Sequence, residues 1–173
     1  MSLVQCYNWA HFPDVFESTL MTISSKLVDL VGEWKGTNVL HAPWMAEPIQ
    51  RSDSTATVRS KMNGQFLSME YTWAFEGQPQ EGMLILGCDP KCEEVQAVWT
   101  DSWHSKDTLM VCNGSFTEPN VISVMGYYAV PEHPDWGWRT EIVNRQNGFR
   151  YVMYNVSPEG EEELAVETDF EKA

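Results

Sequence analysis

Basic residues are scarce in this chain. Eleven Lys and Arg stand against 25 Asp and Glu, a formal charge of −14 with a sequence pI near 4.5. Binding to phosphate backbones releases counterions through Lys and Arg, so nucleic acid and anionic membrane surfaces are poor partners for this composition. Part of the acid excess is local: Glu159, Glu161, Glu162, Glu163, Glu167, Asp169 and Glu171 crowd the last fifteen residues, and read most simply as a solvated face. Long apolar runs are also missing. None approaches the roughly 20 residues that a membrane-spanning helix requires. The first twenty residues hold Asp14 and Glu17 and no Lys or Arg, which is not the order of a secretory leader. A cytoplasmic protein is expected.

Cysteine is sparse too, at Cys6, Cys88, Cys92 and Cys112. Without a leader these read as reduced thiols rather than a disulfide framework. Cys88 and Cys92 flank "DPK" as C-x-x-x-C, a spacing that zinc sites do not favour, and no second ligand pair follows at a recognisable distance. No metal is expected. Phosphate-binding glycine loops, H-E-x-x-H and G-x-S-x-G are likewise missing from the chain.

What is present is a rhythm. The 173 residues, 43% of them hydrophobic and 21% charged, fit one domain over residues 1–173. Its first 30 residues are read as a helical lead-in and residues 31–173 as a barrel. "PDVFESTLMTISSKLVDLVG" sets Val15, Leu20, Ile23, Leu27 and Leu30 at three- and four-residue steps, with Gly32 as the stop. After Gly32 the period changes to two. Short alternating segments recur between turn residues, including Asn63-Gly64 and Asn147-Gly148, the strongest short hairpin signals. "CDPK" reads as a β-turn. About ten antiparallel strands joined by short loops make an all-β up-and-down barrel the economical topology, because closure removes sheet edges.

Parity then assigns faces. Leu67, Met69, Tyr71, Trp73 and Phe75 share one side of their strand, and Trp136, Trp138, Thr140 and Ile142 one side of another. Phe149, Tyr151 and Met153 share a third. Trp44 is expected to cover one end. In "EVQAVWTDSW" the face of Val95, Ala97, Trp99 and Trp103 also carries Asp101, while Ser102 and His104 fall on the opposite face. An inward carboxylate must be hydrogen-bonded, lie near the rim, or have its pKa raised. Asp101 is therefore the candidate catalytic acid or base, set against a plainer role as a strand-end hydrogen-bond acceptor. Aromatic inner faces suit either a filled core or a lined pocket, and ten strands favour the pocket.

Several motifs together carry a resemblance. "LVGEWKG" is similar to the G-x-W opening of the calycins, the lipocalin and fatty-acid-binding barrels. "LVGEWKG", "GQFLSMEY", "GMLILGCDP" and "VWTDSW" in that order resemble an uncharacterised calycin-like family, domain of unknown function fifteen seventy-nine. The signature positions are Gly32, Trp34, Gly64, Gly87 and Asp89. Cys88 stands where that family usually has Tyr, and "DFEKA" lacks the Arg that commonly packs beneath the Trp, which leaves open whether Lys172 takes its place. The resemblance implies a lipocalin-like barrel without a settled activity. The related nitrobindin barrels hold haem through a late-strand histidine; here the only histidine after residue 104 is His133, in a Pro-flanked loop, and His41 and His104 are alternatives without motif support.

Three functions follow as expectations. The first is a binding barrel for a small apolar or amphipathic molecule, lined by Met69, Tyr71, Trp73, Trp99, Asp101, Trp138 and Tyr151. The second is an enzyme that uses Asp101, and the third a filled barrel that works by association, with a homodimer as one outcome.

Overall fold

The alternating segments form ten antiparallel strands that close on themselves. The computed structural model describes residues 25–88, 94–105 and 107–173. The strands are β1 (Gly32–His41), β2 (Ile49–Lys61), β3 (Phe66–Phe75), β4 (Gln78–Cys88) and β5 (Glu94–Asp101). They continue as β6 (Met110–Glu118), β7 (Val121–Tyr128), β8 (Trp136–Arg145), β9 (Gly148–Val156) and β10 (Glu162–Lys172). Each pairs with its neighbour in sequence, and β1 pairs with β10 from Trp34↔Lys172 to Leu40↔Val166. No sheet edge is left to cover.

Most of the expected lead-in helix lies outside the described residues, as do Asp89, Cys92 and the "CDPK" turn. Of that helix one turn is described, α1 (Ser25–Val28), with Leu27 and Leu30 buried. They pack against the end of the barrel that Trp34 plugs. The Trp34 indole N–H donates to the Leu30 carbonyl at 2.8 Å, and its ring meets Phe149 edge-on at 5.2 Å. Lys172 fills the place of the absent Arg. Its ammonium sits 3.8 Å from the Trp34 ring centroid and donates to the Val31 carbonyl at 3.2 Å.

The turns depart from expectation in an instructive way. Asn63-Gly64 does join β2 to β3, but through a short 3₁₀ turn with Met62, Asn63 and Gly64 at φ 49°, 57° and 88°. Asn147-Gly148 joins β8 to β9 without a positive φ at either residue. Gly148 is instead the first residue of β9, where a Cβ would lie 2.0 Å from the Phe170 carbonyl oxygen. Close backbone approach, not turn geometry, demands that glycine. The two-residue turn with both φ positive is Glu76-Gly77, at 48° and 77°, between the paired Phe75 and Gln78. That is the geometry that matches strand twist.

Parity places the core. Leu67, Met69, Tyr71, Trp73, Leu84, Trp99, Trp138, Tyr151 and Met153 are all inside and at most 8% exposed. Trp44 does not cover an end: it is 71% exposed, and Ala42 and Met45 from the same loop pack against the core instead.

Candidate functional site

The polar part of this interior gathers at the rim opposite Trp34. β5 ends at Asp101, and beyond it the chain turns rather than extends. The Ser105 N–H donates to the Asp101 carbonyl at 2.9 Å, and the Asp101 N–H donates to the Ser105 hydroxyl at 3.1 Å. Alternation of faces holds only within a strand. The turn therefore corrects the expected placement of His104: its imidazole folds back over the barrel, with Nδ1 3.1 Å from Asp101 Oδ1. Trp103, in the turn beyond the strand, still packs on the inward side, 5.0 Å from Phe75 and 5.9 Å from Trp73. Ser102 stays outside, donating to the Gln80 side-chain oxygen at 2.7 Å, so no Ser-His-Asp array forms.

Both Asp101 oxygens are occupied. Oδ1 accepts from the Trp103 and His104 backbone N–H groups at 2.9 and 3.1 Å, besides the imidazole. Oδ2 accepts from the Tyr71 hydroxyl at 3.0 Å and the Trp73 indole at 3.1 Å. Tyr71 in turn accepts from the Trp99 indole at 2.9 Å. Burial pushes the Asp101 carboxyl up, but the hydrogen bond and charge of His104 and the two backbone N–H groups outweigh it, and the carboxyl ends below its ordinary value. Burial first, then the neighbouring Tyr151 and Asp101, raises the Tyr71 hydroxyl well above its usual range.

Two local features make this packing feasible. Tyr71 pairs with Gly82 across β3 and β4, and Gly82 with Asp101 across β4 and β5. A Cβ on Gly82 would sit 2.1 Å from the Tyr71 ring, so the missing side chain lets the phenol lie across to the carboxylate. The His104 imidazole is enclosed by Trp73, Trp99, Trp103 and Trp138 at centroid distances of 5.7, 5.8, 4.5 and 5.4 Å. Trp99 and Trp138 stack at 5.6 Å with planes 17° apart.

Beneath this cluster lies an enclosed cavity bordered by Asn38, Tyr71, Asp101, His104, Tyr151 and Thr168, with about 10 Å³ open to the centre of a water-sized sphere. That is on the order of one water. Ten strands favour a roomy interior, but the aromatic side chains fill it. Four buried side-chain polar atoms among the described residues have no hydrogen-bond partner within the protein: Ser68 Oγ on β3, Trp138 Nε1 and Thr140 Oγ1 on β8, and Tyr151 Oη on β9, of which Tyr151 borders the cavity. Burial, then the nearby Asp101 and Cys112, raises the Tyr151 hydroxyl well above its usual range, so it stays protonated. The Cys112 thiol, fully buried, is pushed up to about 11 by burial.

Of the sequence-predicted residues, Tyr71, Trp73, Trp99, Asp101, Trp138 and Tyr151 converge here. Met69 is buried in the same core. Gly87 belongs to the outer wall, where a Cβ would meet the Phe66 ring at 2.8 Å. His104 is the site residue that parity missed. Its signal was present, since Asp101 is followed by "SWHSKD", a run whose polar residues end a strand. Haem does not fit these residues. His133 is exposed in the loop between β7 and β8, His41 pairs with Glu167 at 3.1 Å, and the His104 ring is bound to Asp101 and enclosed by four tryptophans beside a cavity of about one water.

A family model described as a protein of unknown function, DUF1579, matches residues 24–172. No curated protein matches the chain. Among solved structures, the crystal structure of Rv2717c from M. tuberculosis is similar at a TM-score of 0.60 with 12% identity, covering 87% of this chain and 99% of that one. At that identity the likeness concerns the fold.

Proposed function

Because the chain belongs to DUF1579, a family of unknown function, we propose from its own geometry that it is a lipocalin-like binding barrel for a small amphipathic molecule. The molecule's polar head meets the Asp101–His104–Tyr151 end, and its apolar body lies against Trp73, Trp99 and Trp138. One observation carries this reading: the buried donors of Trp138, Thr140 and Tyr151 on β8 and β9 lack a partner within the protein, and Tyr151 borders the cavity. An unsatisfied buried polar group destabilises a fold by about 1–3 kcal/mol, and a ligand acceptor is the economical reason to keep several together beside an aromatic wall. A ligand larger than a water requires the side chains around the small cavity to repack, since about 10 Å³ is open there. Asp101, with both oxygens occupied, acts as the anchor of the turn Ser102–Ser105 rather than as a proton-transfer group. His104, whose Nδ1 is held by Asp101, orients the polar head.

Native mass spectrometry of protein purified gently from lysate tests the reading. Extra mass that vanishes on denaturation supports it; a bare chain in every preparation overturns it. Tyr151→Phe sharpens the test, because it keeps the ring and removes only the unpartnered hydroxyl. The bound mass should be lost or reduced while stability holds or rises. If the variant retains the ligand at wild-type occupancy, the unpartnered donors are not what holds it.

A further inference from the structure

The outer surface of the barrel is divided by charge. Among the described residues, every ion pair apart from Asp101–His104 lies on β8, β9, β10, β1 and β2: Arg139 with Glu141 and Glu162, Arg145 with Asp169, Arg150 with Glu167, His41 with Glu167, Lys35 with Glu171, and Arg59 with Glu33. The outward positions of β4 to β7 carry charge only toward the rims, at Glu81 on one side and at Glu94 and Glu118 on the other. Instead Ile85, Val98 and Val111 line up as one cross-strand row, with Met83, Met125 and Tyr127 beside it. Val111 is 63% and Tyr127 68% exposed. Nothing in strand propensity requires this, since the outer residues of the remaining strands are largely charged or hydroxylated.

We propose that this uncharged wall joins two copies of the chain into a homodimer. The argument for a second copy is electrostatic. At −14 per chain, two copies repel each other on any face that bears the acid excess, and the β4–β7 wall is where they meet without opposing like charges. A basic protein would be drawn to the acidic face around β10, not to this one. An isologous contact sets the same patch against itself, and an apolar row flanked by Thr100, Asn113 and Ser123 is self-complementary in that sense. The dimensions suffice: four strands about 4.8 Å apart and about nine residues long span roughly 19 by 30 Å. With side-chain relief that approaches the roughly 800 Å² per partner of a standard interface. The ligand reading does not enter this argument, because the wall faces away from the barrel interior.

Sedimentation of the full chain at tens of micromolar is expected to give twice the 19.8 kDa chain mass. Val111→Glu places two carboxylates in the dyad contact and should weaken association roughly hundredfold or more, leaving a monomer with unchanged circular dichroism and thermal midpoint. If that variant fails to fold, Tyr127→Glu, at a side chain already mostly in solvent, replaces it. Lys35→Glu on the opposite wall should leave the dimer intact. A wild-type monomer, a Val111→Glu chain as dimeric as wild type, loss of the dimer in Lys35→Glu, or a different protein held in place of the second copy would each overturn the proposal.

Discussion

A single carboxylate organises the polar end of this barrel. Asp101 is 2% exposed and accepts from two backbone N–H groups, the Tyr71 hydroxyl, the Trp73 indole and the His104 ring. Such a group is stable as an anion only while all its donors stay in place. Asp101→Asn keeps the shape but removes the charge and turns one oxygen into a donor that faces other donors. Stability should fall by about 3 kcal/mol, read as a lower midpoint in urea. The pH dependence has a definite sign. The folded carboxyl lies below its ordinary value of 3.8, so its contribution is complete above that value and is lost as the pH falls through the lower, folded one. Wild type should therefore lose part of its stability on acidification below about pH 4 that Asp101→Asn does not. Equal acid slopes for the two proteins would mean that the carboxylate is not held as the hydrogen bonds indicate.

Within single elements, two of the hairpin glycines, Gly77 and Gly148, separate two reasons for the same residue. At Gly77 a Cβ would meet nothing within 4 Å, and only the φ of +77° favours glycine; Gly77→Ala should cost about 1–2 kcal/mol. At Gly148 the φ is ordinary but a Cβ would strike the β10 backbone at Phe170, so Gly148→Ala must push β9 from β10. Thermal unfolding should show the second variant much more damaged than the first, and the reverse order would refute the close-approach reading. This contrast also marks what the amino-acid pattern makes legible. Strand number, inward faces and closure follow from period-two alternation, because a sheet with one buried face imposes that period on every strand. Six inner residues of the site were reached by the same rule, Asp101 among them as the acid on an apolar stripe. The rule stops where the strand stops. His104 lies three residues past Asp101, and its position is set by backbone hydrogen bonds to a side chain, which alternation does not encode. The filled interior was hidden for a different reason: strand count sets the width of a barrel, but packed ring volumes decide what space is left.

For the whole molecule, closure rests on the pairing of the first strand with the last. Trp34 and Lys172 are register partners, and the cation over the indole joins the two ends of the barrel wall at the plugged end. β10 also supplies Val166, Thr168 and Phe170 to the interior, all three bordering the small cavity. Pairings of such long sequence separation form late and close the largest loop in the chain, so β-structures dominated by them fold slowly. A chain ended after residue 161 keeps nine strands and every short hairpin, yet it exposes β1 and β9 as edges and uncovers Trp34, Phe149 and Tyr151. The fold offers no smaller closed sheet to which those nine strands can retreat, because the width that ten strands create is already matched by the aromatic core. The truncated chain should lose its near-ultraviolet circular dichroism and its single cooperative unfolding transition, and it should aggregate at concentrations where the full chain does not. A cooperative transition within about 1 kcal/mol of the full chain would show that the local hairpins, and not the seam, hold the barrel together.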